Sequence, residues 1–385
     1  MKRRLAAAVL RARLARFPAA ALLGPRQCGK TTLGRSLARR YYDAEQPADR
    51  LRLDLDWETL VAGRELVVID EAQSWPELFP RLRGAIDADR RRNGRFLLLG
   101  SVSPVLMREV SESLAGRLAR VELTPFLLGE LDKTAHRRLW LTGGFPDGGV
   151  LRPARFPVWQ RDYLALMAQR DLPAWGLAAR PQVTDRLLHM LAAVNGQPWN
   201  ASALGQSLGL SYHTVNGYLD DLEGAYLVRR LAPWSGNLRK RLVRSPRVYL
   251  RDSGLLHALL RIGSSTELLR HPAAGASWEG FVIEQILGSL AASGIDADAH
   301  FLRTSDGREI DLLLGIRDKK VAIEIKLASG AAPQDLARLE RVADLVSADH
   351  RYIVCQTASP AATGSRGILD LATVIARLRA LDRLR

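Results

Sequence analysis

A chain of 385 residues, 47% hydrophobic and 25% charged, carries enough apolar residues for two or three packed domains and excludes a disordered chain. Its 56 Lys and Arg against 41 Asp and Glu leave a net charge of +15, which favours a polyanionic partner, nucleic acid before an anionic membrane surface. The alternative is an arginine-rich surface with its charge spread evenly over a solvated exterior. The two cysteines, Cys28 and Cys355, provide neither a disulfide framework nor a zinc spacing, and a reducing cytoplasm fits.

The first segment opens with Lys2, Arg3 and Arg4 and runs into Ala6 to Leu10, in the manner of a secretion signal. Arg11, Arg13 and Arg16 break that run early, so Leu5 to Phe17 reads as an amphipathic helix stopped before Pro18. No segment approaches the ~20 apolar residues that cross a bilayer. Ala19 to Leu23 reads as a short buried strand, and Gly29 to Arg40 as a helix. Leu66 to Ile69 and Phe96 to Leu99 are further apolar strands. Strands alternating with helices predict a doubly wound parallel sheet over residues 1–150.

Between that strand and that helix lies Gly24-Pro25-Arg26-Gln27-Cys28-Gly29-Lys30-Thr31, which matches G-x-x-x-x-G-K-S/T at every fixed position. Glycines let the loop backbone approach a phosphate chain, and amide N–H groups at a helix start point at it. Lys30 is expected to reach the β and γ phosphates, Thr31 to offer its hydroxyl to magnesium, and Thr32 to lie in the same first turn. Forty residues after Lys30, the apolar run Leu66 to Ile69 ends in Asp70 and Glu71. Asp70 is the expected second magnesium holder, and Glu71 the base that orients and polarises the attacking water. The alternative for Glu71 is a solvated residue at a strand end. No N-K-x-D signature follows, so ATP with Mg2+ is expected rather than GTP.

Ser101, at the tip of the third apolar run, is a sensor candidate for the γ-phosphate or else a cap before Pro104. Arg117 is a candidate for transition-state charge, in its own subunit or in a neighbour of an oligomer, or else an ordinary surface arginine. Arg26 is a weaker phosphate candidate inside the loop.

Gly24 to Thr31, Val68 to Gln73, Phe96 to Ser101, Ser113 to Arg117 and Gly143 to Pro146, taken in order, resemble a large prokaryotic family of AAA-like ATPases. The chain is similar to the archaeal-type members with a C-terminal domain of unknown function, and Asp252 to Leu255 and Trp278 to Phe281 extend the likeness over nearly the whole length. Cys28 departs from the small Ser or Ala expected at its position, which marks it as a candidate for thiol modification.

Residues 151–255 read as mainly helical, ending in a helix-turn-helix. Ala203 to Leu208 forms one helix, and Ser211 caps a second, Tyr212 to Leu222, that presents Tyr212, His213, Asn216 and Tyr218. Leu204, Leu208, Leu210, Val215, Leu219 and Leu222 supply the core, and Tyr226 to Leu231 extends into a basic loop, as in a winged helix. The family resemblance implies a winged helix here as well. Segment 229–251 holds Arg229, Arg230, Arg239, Lys240, Arg241, Arg244, Arg247 and Arg251 with no acidic residue, which suits DNA phosphates. The competing role is docking of a protein partner, and Asp220 and Asp221 place negative charge on the reading helix.

Residues 256–385 read as a second α/β unit: a helix from Trp278 to Leu290, strands Ile310 to Leu314 and Val321 to Ile325, a helix Gln334 to Val346 and a strand Tyr352 to Cys355. Asp311, then Glu324-Ile325-Lys326, place two carboxylates and an ammonium on one side of adjacent strands, because strand side chains alternate with period two. Such carboxylates can hold magnesium, and the lysine can position water. The arrangement resembles the core of restriction-endonuclease-like folds, where a carboxylate on the preceding helix joins; Glu279 or Glu284 matches. A scaffold that keeps these residues without cutting remains the alternative.

Overall fold

The computed structural model describes residues 2–101, 114–236 and 244–382. Its first unit is a parallel sheet of β1 (Ala19–Gly24), β2 (Arg40–Asp43), β3 (Val67–Asp70), β4 (Phe96–Ser101) and β5 (Leu118–Glu122), in the order β2-β3-β4-β1-β5. All of β1 and β3 is buried, because helices cover both faces of the sheet. The edge strands β2 and β5 escape the sequence patterning. β2 is polar and partly exposed, β5 alternates in burial, and neither forms a continuous apolar run.

The register Ala19↔Phe96 through Gly24↔Ser101 sends the C-terminal ends of β1 and β4 to one edge, where ligands of such sheets bind. Helix α1 (Ala6–Leu14) buries Ala6, Leu10 and Leu14 at four-residue spacing against Leu22, Leu97 and Val121. Helix α2 (Lys30–Leu37) ends three residues earlier than expected, because the chain turns extended at Ala38 to enter β2.

The middle unit packs the helices Pro181–Ala193, Ala201–Leu208 and Tyr212–Gly224 around Leu187, Leu204, Val215, Leu219 and Leu222. Side-chain caps from Asn200 and Ser211 open the last two helices, and Gly209, at φ 70°, makes the turn between them. An antiparallel hairpin of β6 (Val228–Pro233) and β7 (Arg247–Leu250) follows.

That hairpin does not stop at the middle unit. β6 also pairs in parallel with β8 (Asp298–Arg303), through Ala232↔His300 and Pro233↔Phe301. Beyond β8 come β9 (Glu309–Ile316), β10 (Lys319–Ile325), β11 (His350–Val354), β12 (Ala361–Thr363) and β13 (Arg366–Leu369). One mixed sheet results, ordered β12-β13-β11-β10-β9-β8-β6-β7, with the helix Ala274–Ala291 packed over it. Among the described residues no helix is long and apolar enough to cross a membrane.

Candidate functional site

The loop Gly24–Thr31 sits at the C-terminal end of β1, and its backbone is held from three sides. Gly24 packs so closely on Leu123 that an added Cβ would lie 2.2 Å from that residue's carbonyl oxygen. Gly29 opens α2 at φ 103°, a left-handed conformation that glycine adopts without penalty. Arg4, 6% exposed, donates from Nη1 to the Cys28 carbonyl at 2.8 Å while its Nε pairs with Glu130 at 3.1 Å. The basic start of the chain is therefore a brace under the loop, a role that its signal-like pattern conceals. The Lys30 ammonium, also 6% exposed, donates to the Gly24 and Pro25 carbonyls at 3.0 and 2.8 Å. The Cys28 thiol donates to the Leu123 carbonyl at 3.2 Å, and complete burial pushes its pKa up. This corrects the expectation of thiol modification: the sulfur is neither accessible nor inclined to ionise.

Asp70, 2% exposed, ends β3; its carboxylate accepts the Tyr41 hydroxyl at 2.7 Å and the Glu71 N–H at 3.0 Å. Glu71 is half-buried at φ 47° and Gln27 sits at φ 60°, conformations that each cost a non-glycine residue about 1–2 kcal/mol. Burial raises the Glu71 pKa above the usual carboxylate range, outweighing the Gln73 amide that donates to it and the nearby Lys30 ammonium. The Thr31 hydroxyl and the Asp70 carboxylate are hard oxygen donors, as magnesium requires. Among the described residues no group of three or more metal-ligating side chains gathers, yet an ion that arrives on a nucleotide's phosphates needs only one or two protein oxygens.

A cleft of about 720 Å³ lies over the loop, lined by Arg26, Gln27, Gly29, Lys30, Thr31, Thr32 and Glu71. Its other wall comes from Asp147, just before the middle unit, and from that unit's Arg155, Trp159, Arg170 and Asp171. Sequence reasoning missed this wall, since these residues follow no motif and read as ordinary helix and loop. Arg26 spans the gap, with Nη1 2.6 Å from Asp171.

Two expected residues stand apart from this group. Ser101 pairs with Gly24 along the β4–β1 ladder, so its backbone adjoins the loop, while its side chain lies outside the described residues, as does Ser113. Arg117 precedes Leu118, the partner of Ala19, and therefore sits at the N-terminal edge of the sheet. That is about 20 Å from the loop by strand rise. There it grips Asp87 with Nε and Nη2 at 2.8 and 2.9 Å. Contact with a phosphate chain in the same subunit is thereby overturned.

The second cleft, about 610 Å³, lies on the C-terminal sheet and is lined by Glu279, Glu309, Asp311, Glu324, Lys326 and Asp335. The register Ile323↔Leu312 makes Asp311 and Glu324 the next opposed pair, and Asp311 accepts the Ile325 N–H at 2.8 Å. Burial, with Glu279 and Glu324 nearby, raises the Asp311 pKa well above the usual range. Lys326 lies 3.8 Å from Glu324 and 3.1 Å from Asp335. The guanidinium of Arg247, from β7, reaches into the carboxylates, touching Glu309 and lying 2.9 Å from Glu279 and 3.7 Å from Asp311. Glu284 is not part of the cluster. It is buried between Arg229 and Arg251, each at 3.1 Å, and those cations keep its pKa low against the effect of burial.

The basic segment is likewise corrected. Arg229 pairs with Glu284, Arg230 with Asp220 and Glu223, Arg247 with the acidic cleft, and Arg251 with Glu122 and Glu284. Four of the eight basic residues are therefore paired within the chain, Arg230 at its surface and the other three more deeply, because the acidic partners absent from the segment itself arrive from other elements. Arg244 is exposed, and Arg239, Lys240 and Arg241 lie outside the described residues. On the helix Tyr212–Gly224, Tyr212 and His213 are exposed as expected. Asn216 instead accepts the Trp199 indole N–H at 2.8 Å, and Tyr218 donates to the Ala178 carbonyl at 3.2 Å.

Comparison with known proteins agrees with this layout. Residues 16–131 match the model of an AAA domain, and residues 133–266 and 274–374 match two domains of unknown function, DUF8612 and DUF4143. Uncharacterized proteins of Mycobacterium tuberculosis (Rv2008c) and Mycobacterium bovis (Mb2031c) are each 40% identical over 370 residues, covering 93% of this chain and 82% of theirs. Among solved structures, a Walker-type ATPase of Pyrococcus abyssi aligns at 16% identity and a TM-score of 0.46, covering 66% of this chain and 94% of its own. The strand order and the loop, rather than that distant likeness, identify the fold of the first unit. The chain belongs to the prokaryotic AAA-like P-loop ATPases that carry a C-terminal DUF4143 domain.

Proposed function

We propose that this protein is a magnesium-dependent ATP hydrolase that works as a nucleotide-driven switch on DNA or on a DNA-associated partner. The observation that carries this reading is that one cleft collects the phosphate loop, Lys30, Thr31 and Glu71 on one side and side chains of the middle unit on the other. Lys30 would neutralise the β and γ phosphates there, and Thr31, in the cleft, with Asp70, buried at the end of β3, would hold the magnesium, which would supply charge neutralisation of the phosphates. Glu71 takes the proton of the attacking water, a task that a raised pKa favours. Ser101, beside Gly24 on the ladder, is the polar group assigned to report the γ-phosphate.

Contact with DNA falls to the exposed Tyr212 and His213 of the winged-helix-like middle unit together with the basic stretch around Arg244. The test is ATP hydrolysis by purified protein with and without duplex DNA, with binding followed from low to moderate salt. Stimulation and a steep salt dependence are expected; an affinity that stays flat with salt removes the DNA claim.

A second reading, a slow ATP-dependent switch that recruits a protein partner, is favoured by the pairing of Arg229, Arg230, Arg247 and Arg251 with carboxylates of this chain, which neutralises charge that DNA would otherwise meet. Stable ATP binding with negligible turnover, with or without DNA, supports it. For the C-terminal cleft, which keeps the spacing of restriction-endonuclease-like sites, we infer a scaffold that does not cut, since Arg247 lies where a cation would bridge Glu279 and Asp311. Nicking of supercoiled plasmid with magnesium or manganese, abolished in Asp311→Ala, would overturn that inference. A role for Arg117 in a neighbouring subunit requires both an oligomer and release from Asp87.

A further inference from the structure

Arg26 belongs to the phosphate loop, yet its guanidinium points across the cleft to the middle unit. Nη1 stands 2.6 Å from Asp171 Oδ1, with 25% and 8% of the two side chains exposed. A carboxylate so well buried needs a cation, and Asp171 has two, because Arg170 Nε lies 3.0 Å from the same oxygen. All three residues line the cleft that holds Lys30, Thr31 and Glu71.

Asp171 closes a π-helical turn, Met167–Asp171, inserted between the helices Val158–Leu166 and Leu172–Ala174. Such turns are rare insertions in helices and recur at functional positions. Met167, the turn's first residue, and Leu172, which follows it, are buried in the same core as Leu204, Val215 and Leu219, so a displacement of the turn presses on the two-helix unit.

We propose that Arg26 alternates between Asp171 and the phosphates of a bound nucleoside triphosphate, so that the triphosphate unlatches the turn 167–171 from the phosphate loop. This rests on the nucleotide reading given above and adds the route by which the nucleotide is felt outside the ATPase sheet. A guanidinium binds phosphate oxygens in a two-pronged, charge-assisted geometry, and a polyphosphate carries several charges where Asp171 carries one. The exchange does not strand a buried anion, since Arg170 stays on Asp171. Losing both cations would carry the heavy penalty of an uncompensated buried charge. The middle unit therefore has a resting contact that the ligand's own chemistry displaces, which is the differential interaction that a ligand-driven transition requires.

The experiment uses the full chain as wild type, Asp171→Asn and Arg26→Gln, each titrated calorimetrically with magnesium and a non-hydrolysable ATP analogue. Hydrogen exchange of residues 167–174 is followed in parallel. In wild type the analogue should speed exchange of 167–174 several-fold. Asp171→Asn should bind about 10-fold tighter, within the 5–150-fold typical of coupled sites, because Arg26 no longer has to leave a carboxylate. Both variants should exchange quickly at 167–174 before any analogue is added, and Arg26→Gln should show no further change on adding it. Wild-type affinity in Asp171→Asn, slow exchange in Arg26→Gln, or protection of 167–174 by the analogue overturns the latch while leaving the nucleotide site intact. Absence of binding to wild type and Asp171→Asn alike overturns the nucleotide reading itself, and the latch with it.

Discussion

Arg251 ties all three parts of the chain together, so replacing it with methionine should loosen the whole molecule. Its Nη2 lies 2.5 Å from Glu122, at the end of β5, its Nε lies 3.1 Å from Glu284, on the helix over the C-terminal sheet, and its guanidinium sits 5.2 Å above the Tyr226 ring. Breaking a buried ion pair from one side costs about 3–5 kcal/mol. Here Glu122 is 30% exposed and Glu284 keeps Arg229, so the two carboxylates are only partly stranded. Methionine also preserves the apolar stem. A loss of about 2–3 kcal/mol follows, which lowers the melting temperature by roughly 4–12 °C for an unfolding unit of 150–250 residues. Urea and thermal unfolding followed by tryptophan fluorescence measure it. The double variant Arg251→Met/Glu284→Gln removes the stranded charge as well, and should lie about 1–3 kcal/mol above the sum of the single changes. An Arg251→Met protein within about 0.5 kcal/mol of wild type, or a strictly additive double variant, refutes the reasoning.

Lys30→Ala should abolish ATP binding by calorimetry, whereas Glu71→Gln should bind ATP normally and fail to hydrolyse it; full turnover in Glu71→Gln would falsify its assignment as base. Gly24→Ala forces a Cβ onto the Leu123 carbonyl and should cost about 1–3 kcal/mol of stability as well as nucleotide affinity, read by melting and titration. Asp252, lifted to about 6 by burial, holds its proton more tightly in the folded state, so it withdraws stability as pH rises from about 4 to about 6. His257, lowered to about 4 by burial, does the opposite and adds stability as pH rises from about 4 to about 6.5. Each contributes on the order of 3 kcal/mol, so the two contributions should nearly cancel one another across that window. Asp252→Asn should rise with pH and His257→Gln should fall; parallel curves for all three proteins would contradict both assignments.

The candidate nucleotide site is legible where chemistry constrains neighbours along the chain. A phosphate loop needs its glycines, lysine and threonine in one run, so Gly24 to Thr31 stands out from spacing alone, and Asp70 is proposed as the magnesium aspartate because a buried strand presents it. β2 and β5 were not legible, because edge strands lack the continuous apolar run that marks β1 and β3. Arg26–Asp171 and Arg251–Glu122 join residues more than 120 positions apart, and no local pattern announces such partners. The same blindness made Arg229, Arg230, Arg247 and Arg251 look like one cationic surface, when each faces a carboxylate supplied by another element. Arg117 misled for a related reason: its place in the chain suggested the phosphate end of the sheet, and the parallel register with β1 puts it at the other.

The pairing of β6 with β8 means that the middle and C-terminal thirds share hydrogen bonds rather than a linker. A truncation between them would split a sheet and leave β8 with a raw edge, open to pairing with other copies. It would also strip Arg247 from the carboxylates it neutralises, adding like-charge repulsion to the lost backbone bonds. Recombination that exchanges one of these thirds for a foreign counterpart should therefore be purged far more often than replacement of both together, and the two should be inherited as a single cassette.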